Sequence, residues 1–360
     1  MTDMKAHPAV PEIPVLQLAG VRKSFGPFEA VAGIDLKIRE GEFVTIVGPS
    51  GSGKTTLLRM LAGLEAPTDG AILLRGQRVN EVPSNKRPTC LVFQSLALFP
   101  HKTVGENIEF PLKVRKVPPA ERRARALELL RMVRLPEDYY GKNVMRCSGG
   151  EKQRVALARA FAYDPDVLFF DEPLSALDYK LKKALEKELK DLHRTTGKTF
   201  VYITHSLEEA MVMSDRIGVM RSGRLVQIGT PAEIYARPAD RFVAEFFGEV
   251  NLIEVERRGE GWVQADGQPL TLPPVGIAGN SATVVVRPEF VRFVEPGGRA
   301  DNILAGTVFN DYSLGSRSQF QVRAGDRTWL VEAPRTAQTP ALDAPATIGW
   351  DAADAIVVEA

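Results

Sequence analysis

Residues 42–64, EFVTIVGPSGSGKTTLLRMLAGL, decide the fold of this chain. The short apolar run EFVTIVG predicts a strand, and KTTLLRMLAGL has the apolar spacing of a helix. Between them, GPSGSGKT at 48–55 matches the phosphate-loop pattern G-x-x-x-x-G-K-[ST]. A chance glycine turn is the alternative, but the strand before the loop and the helix after it favour a phosphate site.

This loop has the chemistry of a nucleoside triphosphate site. Its glycines allow the main chain to wrap around phosphates with its N–H groups pointing inward, and the helix N-terminus adds positive charge. We expect Lys54 to contact the β- and γ-phosphates and the Thr55 hydroxyl to bind Mg²⁺. The predicted nucleotide-binding residues here are Gly48, Pro49, Ser50, Gly51, Ser52, Gly53, Lys54, Thr55 and Thr56.

The stretch VLFFDEP, residues 167–173, places two acidic residues where an apolar strand ends. In phosphate-loop ATPases an acidic residue at this position supports Mg²⁺, and Asp171 suits that role. We expect Glu172 to act as the base that polarises a water for attack on the γ-phosphate. The alternative is a solvated strand end followed by a proline turn.

Strands and helices alternate as far as residue 240. TCLVFQ and TFVYITH predict further strands, whereas residues 119–134, KLKKALEKELKDLHRTTG and SLEEAMVMSD predict helices. Leu127, Leu130 and Val133 fall on one face of the helix at 119–134. This alternation predicts an α/β domain with a mainly parallel central sheet. After residue 240, short strands separated by Gly, Pro and Asn predict a small antiparallel β barrel or sandwich.

Composition agrees with two domains. The chain has 360 residues, 44% hydrophobic and 25% charged, with a formal net charge of +1. Residues 241–360 contain ten arginines, no lysine and sixteen acidic residues, which give −6 and leave +7 for the remainder. The balanced total gives no indication of a nucleic-acid partner. The two cysteines, Cys90 and Cys147, fit a reducing compartment, and we expect neither a signal peptide nor a membrane span.

A second candidate anion site lies in RCSGGEKQRVALARA, residues 146–160. Ser148, Gly149 and Gly150 open a predicted helix, where N–H groups can bind an anion. The alternative is structural, because Ser148 and Glu151 also have the spacing of a capping box.

These motifs together resemble those of ATP-binding cassette (ABC) ATPases. GPSGSGKT, VLFFDEP, the turn SALD at 175–178 and the Ser-Gly-Gly stretch carry the resemblance over roughly 15–240. VRPEF and NILAGTVFNDYSLG resemble the OB-type accessory domain of importer ATPases. The resemblance implies an α/β P-loop NTPase domain at 1–240, with a helical subdomain at about 95–160. A small all-β OB-like domain would then occupy 241–360.

The resemblance also implies roles for single residues. Phe25 would stack on adenine, Gln94 would touch Mg²⁺ and the attacking water, and His205 would contact the γ-phosphate. Two membrane permease subunits would be contacted near 94–110, through apolar residues that could equally be ordinary core: Leu96, Leu98 and Phe99.

A further implication is a head-to-tail homodimer. Ser148, Gly149 and Gly150 of one copy would cap the γ-phosphate of ATP held by Lys54 of the other, and hydrolysis would reopen the pair. The family usually has Leu and Gln where this chain has Cys147 and Glu151. Cys147 is expected to pack as a small apolar residue, whereas a carboxylate at 151 would repel phosphate.

The expected function is the ATPase subunit of a binding-protein-dependent importer, peripheral to the cytoplasmic face of the inner membrane. Its indirect partner would be a periplasmic solute-binding protein. HKTVGENIEFPLKV and FFGEVN resemble the polyamine branch of these importers, which implies a polyamine substrate ahead of ferric iron, a sugar or a phosphonate. Other possibilities are an exporter ATPase, an ABC ATPase acting on DNA or ribosomes, and a regulatory module without turnover.

Overall fold

The computed structural model describes residues 13–175, 177–259, 261–264, 267–274 and 279–359. Contacts within the chain divide it into a first unit that ends at Pro231 and a second that begins at Ala232. Ala176 of the predicted SALD turn lies outside the described residues.

The first unit contains both strands and helices. Its strands are β1 (Leu16–Phe25), β2 (Phe28–Ile38), β3 (Phe43–Val47), β4 (Asp69–Leu74), β5 (Gln77–Arg78), β6 (Thr89–Val92), β7 (Val167–Asp171), β8 (Thr199–Ile203), β9 (Arg216–Arg221) and β10 (Arg224–Gly229). Its helices are α1 (Lys54–Leu61), α2 (Val104–Val114), α3 (Pro119–Met132), α4 (Gly149–Ala162), α5 (Tyr179–Thr196) and α6 (Leu207–Met213). Short 3-10 turns occupy Ser84–Lys86, Glu137–Gly141 and Val144–Arg146.

The strands of the first unit form two sheets. A four-stranded antiparallel sheet has the order β2-β1-β4-β5, and a six-stranded sheet has the order β10-β9-β3-β8-β7-β6. In the larger sheet only the pairing of β10 with β9 is antiparallel. The predicted mainly parallel sheet is therefore confirmed.

The central strands of the larger sheet, β3, β7 and β8, are buried on both faces, which explains why they are mostly apolar. Phe43, Phe170 and Phe200 pack with helices α2–α5 on one face. The residue after Phe43, Val44, packs on the opposite face with α1 and the smaller sheet, as does Val201 after Phe200. This alternation follows from the two-residue repeat of a strand.

This sheet also gathers the predicted site. The phosphate loop follows β3, His205 follows β8, Glu172 follows β7 and Gln94 follows β6. These four strands are adjacent and parallel. Parallel strands end at the same edge, so segments far apart in sequence converge there.

Helices α2, α3 and α4 lie within or close to the predicted helical segment of 95–160. Each begins with a recognisable signal: a capping box at Thr103 and Glu106 for α2, Pro119 for α3 and a capping box at Ser148 for α4. In α3 the buried leucines are Leu129 and Leu130, whereas Leu127 is only partly buried. Leu127 packs against the same core in which Leu130 and Val133 are buried, so the predicted face is confirmed, and Ala126 and Leu129 widen it.

The second unit is β-rich, as predicted. It contains α7 (Pro231–Ala236, starting at the last residue of the first unit), α8 (Arg241–Phe246), β11 (Asn251–Arg258), β12 (Gly261–Gln264), β13 (Pro269–Leu270), β14 (Ser281–Val286), β15 (Arg292–Phe293), β16 (Asn302–Ser313), β17 (Arg317–Ala324), β18 (Arg327–Pro334), β19 (Pro345–Trp350) and β20 (Ile356–Glu359). Its 3-10 turns are Pro288–Phe290 and Ala352–Asp354. Two antiparallel five-stranded sheets have the orders β13-β12-β11-β14-β20 and β15-β19-β16-β17-β18.

The core of this unit includes Trp329 and Trp350, whose rings stack with their centroids 4.7 Å apart. Buried Arg287 joins the two short helices to the sheets, donating to the carbonyls of Tyr235 and Ala244. These contacts explain why α7 and α8 belong to this unit, although the boundary predicted from sequence lies at 240/241.

Candidate active site

The phosphate loop excludes side chains at two of its glycines. A Cβ on Gly48 would lie 2.2 Å from the Met220 carbonyl oxygen. A Cβ on Gly53, which has a φ of +98°, would lie 2.2 Å from the Ala30 carbonyl oxygen. At these two positions the loop therefore packs so closely against neighbouring main chain that only glycine fits.

Lys54 lies beneath this loop. Its ammonium group donates to the carbonyls of Gly48 at 2.8 Å and Pro49 at 2.9 Å and is almost fully buried. Burial lowers the pKa of Lys54, and the charges of Glu172 and Asp171 partly oppose that shift. A bound phosphate would supply the close anionic partner that the buried ammonium favours.

Asp171 and Thr55 provide hard oxygen donors at the end of β7 and the start of α1. Burial and then the charge of Glu172 raise the pKa of Asp171, whereas Arg59 and Lys54 oppose the shift. A desolvated carboxylate beside a second carboxylate favours a cation, and carboxylate and hydroxyl oxygens are ligands that Mg²⁺ prefers. The residues present therefore fit the predicted metal.

Glu172 is held from three sides by groups from different segments. Its Oε2 lies 3.1 Å from His205 Nδ1, and its main-chain N–H donates to the Ile203 carbonyl at 3.0 Å. Its own carbonyl accepts a 2.9 Å hydrogen bond from the Ser175 hydroxyl. The φ of Glu172 is +44°, an uncommon value for a residue with a side chain, and these contacts stabilise it.

Gln94 joins the same network through Ser175. The Gln94 amide donates to the Ser175 hydroxyl oxygen at 3.1 Å. The structure thus brings together three residues predicted from sequence, Gln94, Glu172 and His205. The linking role of Ser175 was not predicted, because the SALD turn has no local feature that indicates its partner.

Phe25 ends β1 with 48% of its surface exposed, so it is not a core residue. The Lys23 ammonium lies 4.9 Å from the centre of its ring. An exposed aromatic ring with a nearby cation provides a stacking surface for a base. Thr56, the last residue predicted for the loop, lies in the first turn of α1.

The second predicted anion site lies at the start of α4. Ser148 and Gly149 are exposed, whereas a Cβ on Gly150 would lie 2.9 Å from Leu181 Cδ1. Among the described residues, the hydrogen bonds of the Ser148–Gly150 turn stay within the turn and α4 and do not reach the phosphate loop. This turn is therefore available at the surface of the first unit.

The capping-box alternative for this turn is also present. The Ser148 hydroxyl accepts from the Glu151 N–H at 3.3 Å, and Glu151 Oε2 accepts from the Ser148 N–H at 2.8 Å. Cys147 is buried in the core and packs as predicted. A capping box and an anion site are compatible only if the carboxylate of Glu151 is compensated.

The segment predicted to meet membrane subunits starts just after β6. Leu96 and Leu98 pack partly against the core, yet they also line a cavity of about 190 Å³ with Pro100, Val144 and Met145. Leu96 and Ala97 have positive φ values, and Arg159 of α4 donates to both carbonyls, at 2.6 and 2.7 Å. Sequence gave no signal for this role of Arg159, which depends on a contact between distant segments.

None of the helices in the described segments is both long enough and apolar enough to pass through a membrane.

Comparison with known families assigns both units. The model of the ABC transporter family matches residues 31–175, and that of the TOBE domain matches residues 284–358. The first match contains the phosphate loop, the Ser148–Gly150 turn and the acidic end of β7.

Two named relatives resemble most of the chain. It is 46% identical to a protein of Mesorhizobium japonicum named "Spermidine/putrescine import ATP-binding protein PotA", with 88% of each chain covered. It is 43% identical to the protein of that name from Rubrobacter xylanophilus, covering 95% of this chain and 93% of the relative.

Among solved structures, the dimeric structure of MJ0796, described as a bacterial ABC transporter cassette, is 35% identical with a TM-score of 0.54. The match covers 60% of this chain and 98% of the MJ0796 chain. A second dimeric structure of MJ0796, in a post-hydrolysis state with ADP and Pi, has a TM-score of 0.53 at the same identity and coverage.

Proposed function

Since the chain belongs to the ABC transporter family of ATPases, we propose that it is the ATP-hydrolysing subunit of an importer and acts as a homodimer. The observation that carries this proposal is the convergence of Lys54, Glu172, His205 and Gln94 at one edge of a parallel sheet. Two relatives that match most of the chain carry import names, and one related cassette, MJ0796, is dimeric in two solved structures.

The reaction is transfer of the γ-phosphoryl group of ATP to water. The phosphate loop and Lys54 bind the β- and γ-phosphates and neutralise negative charge. Glu172 accepts a proton from the attacking water, while His205 and Gln94 fix the position of that water. Ser175 keeps the Glu172 main chain and the Gln94 amide in place.

Magnesium completes this site when bound. Thr55, Asp171 and Gln94 would hold Mg²⁺, which supplies positive charge to the phosphate oxygens. Phe25 stacks on adenine and fixes the other end of the nucleotide.

The second anion site works across the dimer. Ser148, Gly149 and Gly150 of one copy bind the γ-phosphate held by the loop of the other, so ATP binds the closed dimer better than the open one. Hydrolysis removes this differential contact, and the dimer opens. The opening and closing would drive two permease subunits through residues 94–110.

The transported substrate is a polyamine of the spermidine/putrescine class, delivered by a periplasmic solute-binding protein. The support is the name shared by the relatives that match 88–95% of this chain. The subunit would then lie peripherally at the cytoplasmic face of the inner membrane. Ferric iron, sugar and phosphonate import remain the alternatives to be tested.

The test compares wild type with Glu172→Gln. We expect the variant to bind ATP, form a stable dimer on analytical ultracentrifugation and hydrolyse ATP at least about 100-fold more slowly. A regulatory module without turnover would show no difference between the two proteins. For the substrate, vesicles containing the chain, two permeases and a receptor should accumulate labelled spermidine; accumulation of another cargo alone would refute that part.

A further inference from the structure

Glu151 places a carboxylate in the first turn of α4, next to the residues proposed to bind a phosphate. Two like charges at such short range repel each other, and the helix N-terminus offsets only part of that repulsion. A neutral side chain there would avoid the problem. The contacts of Glu151 show how the chain accommodates a charged one.

Both oxygens of the Glu151 carboxylate are engaged by other groups. Oε2 accepts from the Ser148 N–H at 2.8 Å and lies 3.4 Å from the Lys142 ammonium. Oε1 accepts from the Tyr139 hydroxyl at 2.9 Å. The Lys142 ammonium also lies 3.7 Å from the centre of the Tyr139 ring, so the two residues hold each other.

These partners come from outside α4. Tyr139 belongs to the 3-10 turn Glu137–Gly141, and Lys142 immediately follows it. The Lys142 and Glu151 side chains are each about one quarter exposed, so water screens their attraction only partly. The Ser148 N–H, the Tyr139 hydroxyl and Lys142 all favour the ionised form, and the pKa of Glu151 is lowered accordingly.

We propose that Lys142 and Tyr139 are positioning residues of the Ser148–Gly150 turn, which hold and neutralise the Glu151 carboxylate so that the turn can accept a γ-phosphate. The proposal rests on the proposed function, in which that phosphate is carried by a second copy of the chain. Glu151 then retains its capping role for α4 without excluding the anion.

The proposal predicts a specific coupling between positions 142 and 151. In Lys142→Met the carboxylate keeps its charge but loses its cation, so the turn should repel phosphate. We expect the ATP concentration for half-maximal dimerisation to rise about 5- to 10-fold, the effect of one incompletely screened charge at this range. In Glu151→Gln there is no charge to neutralise, and adding Lys142→Met to that variant should change the value less than about twofold.

The measurement uses the full-length chain in the Glu172→Gln background, with ATP titrations followed by analytical ultracentrifugation. Matched ATPase assays without the Glu172 change give KM and kcat; KM should rise for Lys142→Met while kcat at saturating ATP stays within about twofold. Tyr139→Phe keeps the ring but loses the hydroxyl, and we expect the ATP concentration for half-maximal dimerisation to rise about 2- to 3-fold. Lys113→Met, an exposed lysine near the end of α2, is the control for loss of one positive charge.

Two outcomes would overturn the proposal. In the first, Lys142→Met raises the ATP concentration for half-maximal dimerisation equally whether residue 151 is Glu or Gln. In the second, Lys142→Met does not raise it at all. Lys142→Arg, which keeps the charge, guards against a folding defect and should restore the wild-type value. If the Glu172→Gln protein itself fails to dimerise with ATP, the proposed function fails. If it dimerises and Lys142→Met behaves like Lys113→Met, only this inference fails.

Discussion

His205 Nδ1 lies 3.1 Å from Glu172 Oε2, although the residues are 33 positions apart and follow different strands. The contact exists because β7 and β8 are adjacent and parallel, so their ends meet at one edge. It places a ring nitrogen and a carboxylate oxygen beside the position proposed for the attacking water.

His205→Ala should therefore impair chemistry more than binding. We expect kcat to fall about 100-fold, because the attacking water is no longer held in its reactive position, with KM for ATP within about threefold of wild type. Steady-state ATPase assays check this. Equal losses in kcat for His205→Ala and the double variant with Glu172→Gln would show that the two residues act as one unit; additive losses would argue against it.

Ser175→Ala removes the hydroxyl that links Gln94 to the Glu172 carbonyl. We expect kcat to fall at least about fivefold, because two hydrogen bonds are lost, each worth ~1 kcal/mol, while Gln94 and Glu172 remain present. Ser175→Thr keeps the hydroxyl and is the matched control. A normal kcat for Ser175→Ala would mean that the link is not needed for positioning.

Gly53→Ala tests the tight packing of the phosphate loop. Its Cβ would lie 2.2 Å from the Ala30 oxygen at a positive φ, so we expect a loss of about 2–3 kcal/mol in unfolding free energy and loss of ATP binding. Gly20→Ala is the control, since Gly20 also has a positive φ but nothing within 4 Å of its Cβ. Urea denaturation and ATP titration distinguish them; equal stability losses would refute the packing argument.

Asp171→Asn should stabilise the fold at neutral pH and abolish hydrolysis, and the gain in stability should depend on pH. Because the pKa of Asp171 is raised, mainly by burial, the folded protein holds this proton more tightly than the unfolded chain. The resulting cost to stability appears as pH rises above about 4, the ordinary range of an aspartate carboxyl. At neutral pH we expect the variant to be more stable but inactive in Mg²⁺-dependent hydrolysis.

Urea titrations across the acidic and neutral range measure that effect. The stability advantage of Asp171→Asn should shrink as pH falls and disappear below about 3, where the wild-type carboxyl is protonated in both the folded and the unfolded state. An advantage that stays constant with pH would show that it arises from packing and not from ionisation.

The sequence by itself determined the elements and the chemistry within each motif. The phosphate loop, the acidic end of β7 and the turn at the start of α4 are local patterns, in which neighbouring residues are fixed by chain geometry. The sequence also indicated the parallel sheet, because strands and helices alternate along the first 240 residues. The β-rich second unit was evident from its short strands for the same local reason.

Only the tertiary structure decided which distant groups meet. The Ser175 link, the support of Leu96 and Ala97 by Arg159, and the neutralisation of Glu151 by Lys142 join separate segments. Such contacts depend on strand order and helix packing, which no short window of sequence contains.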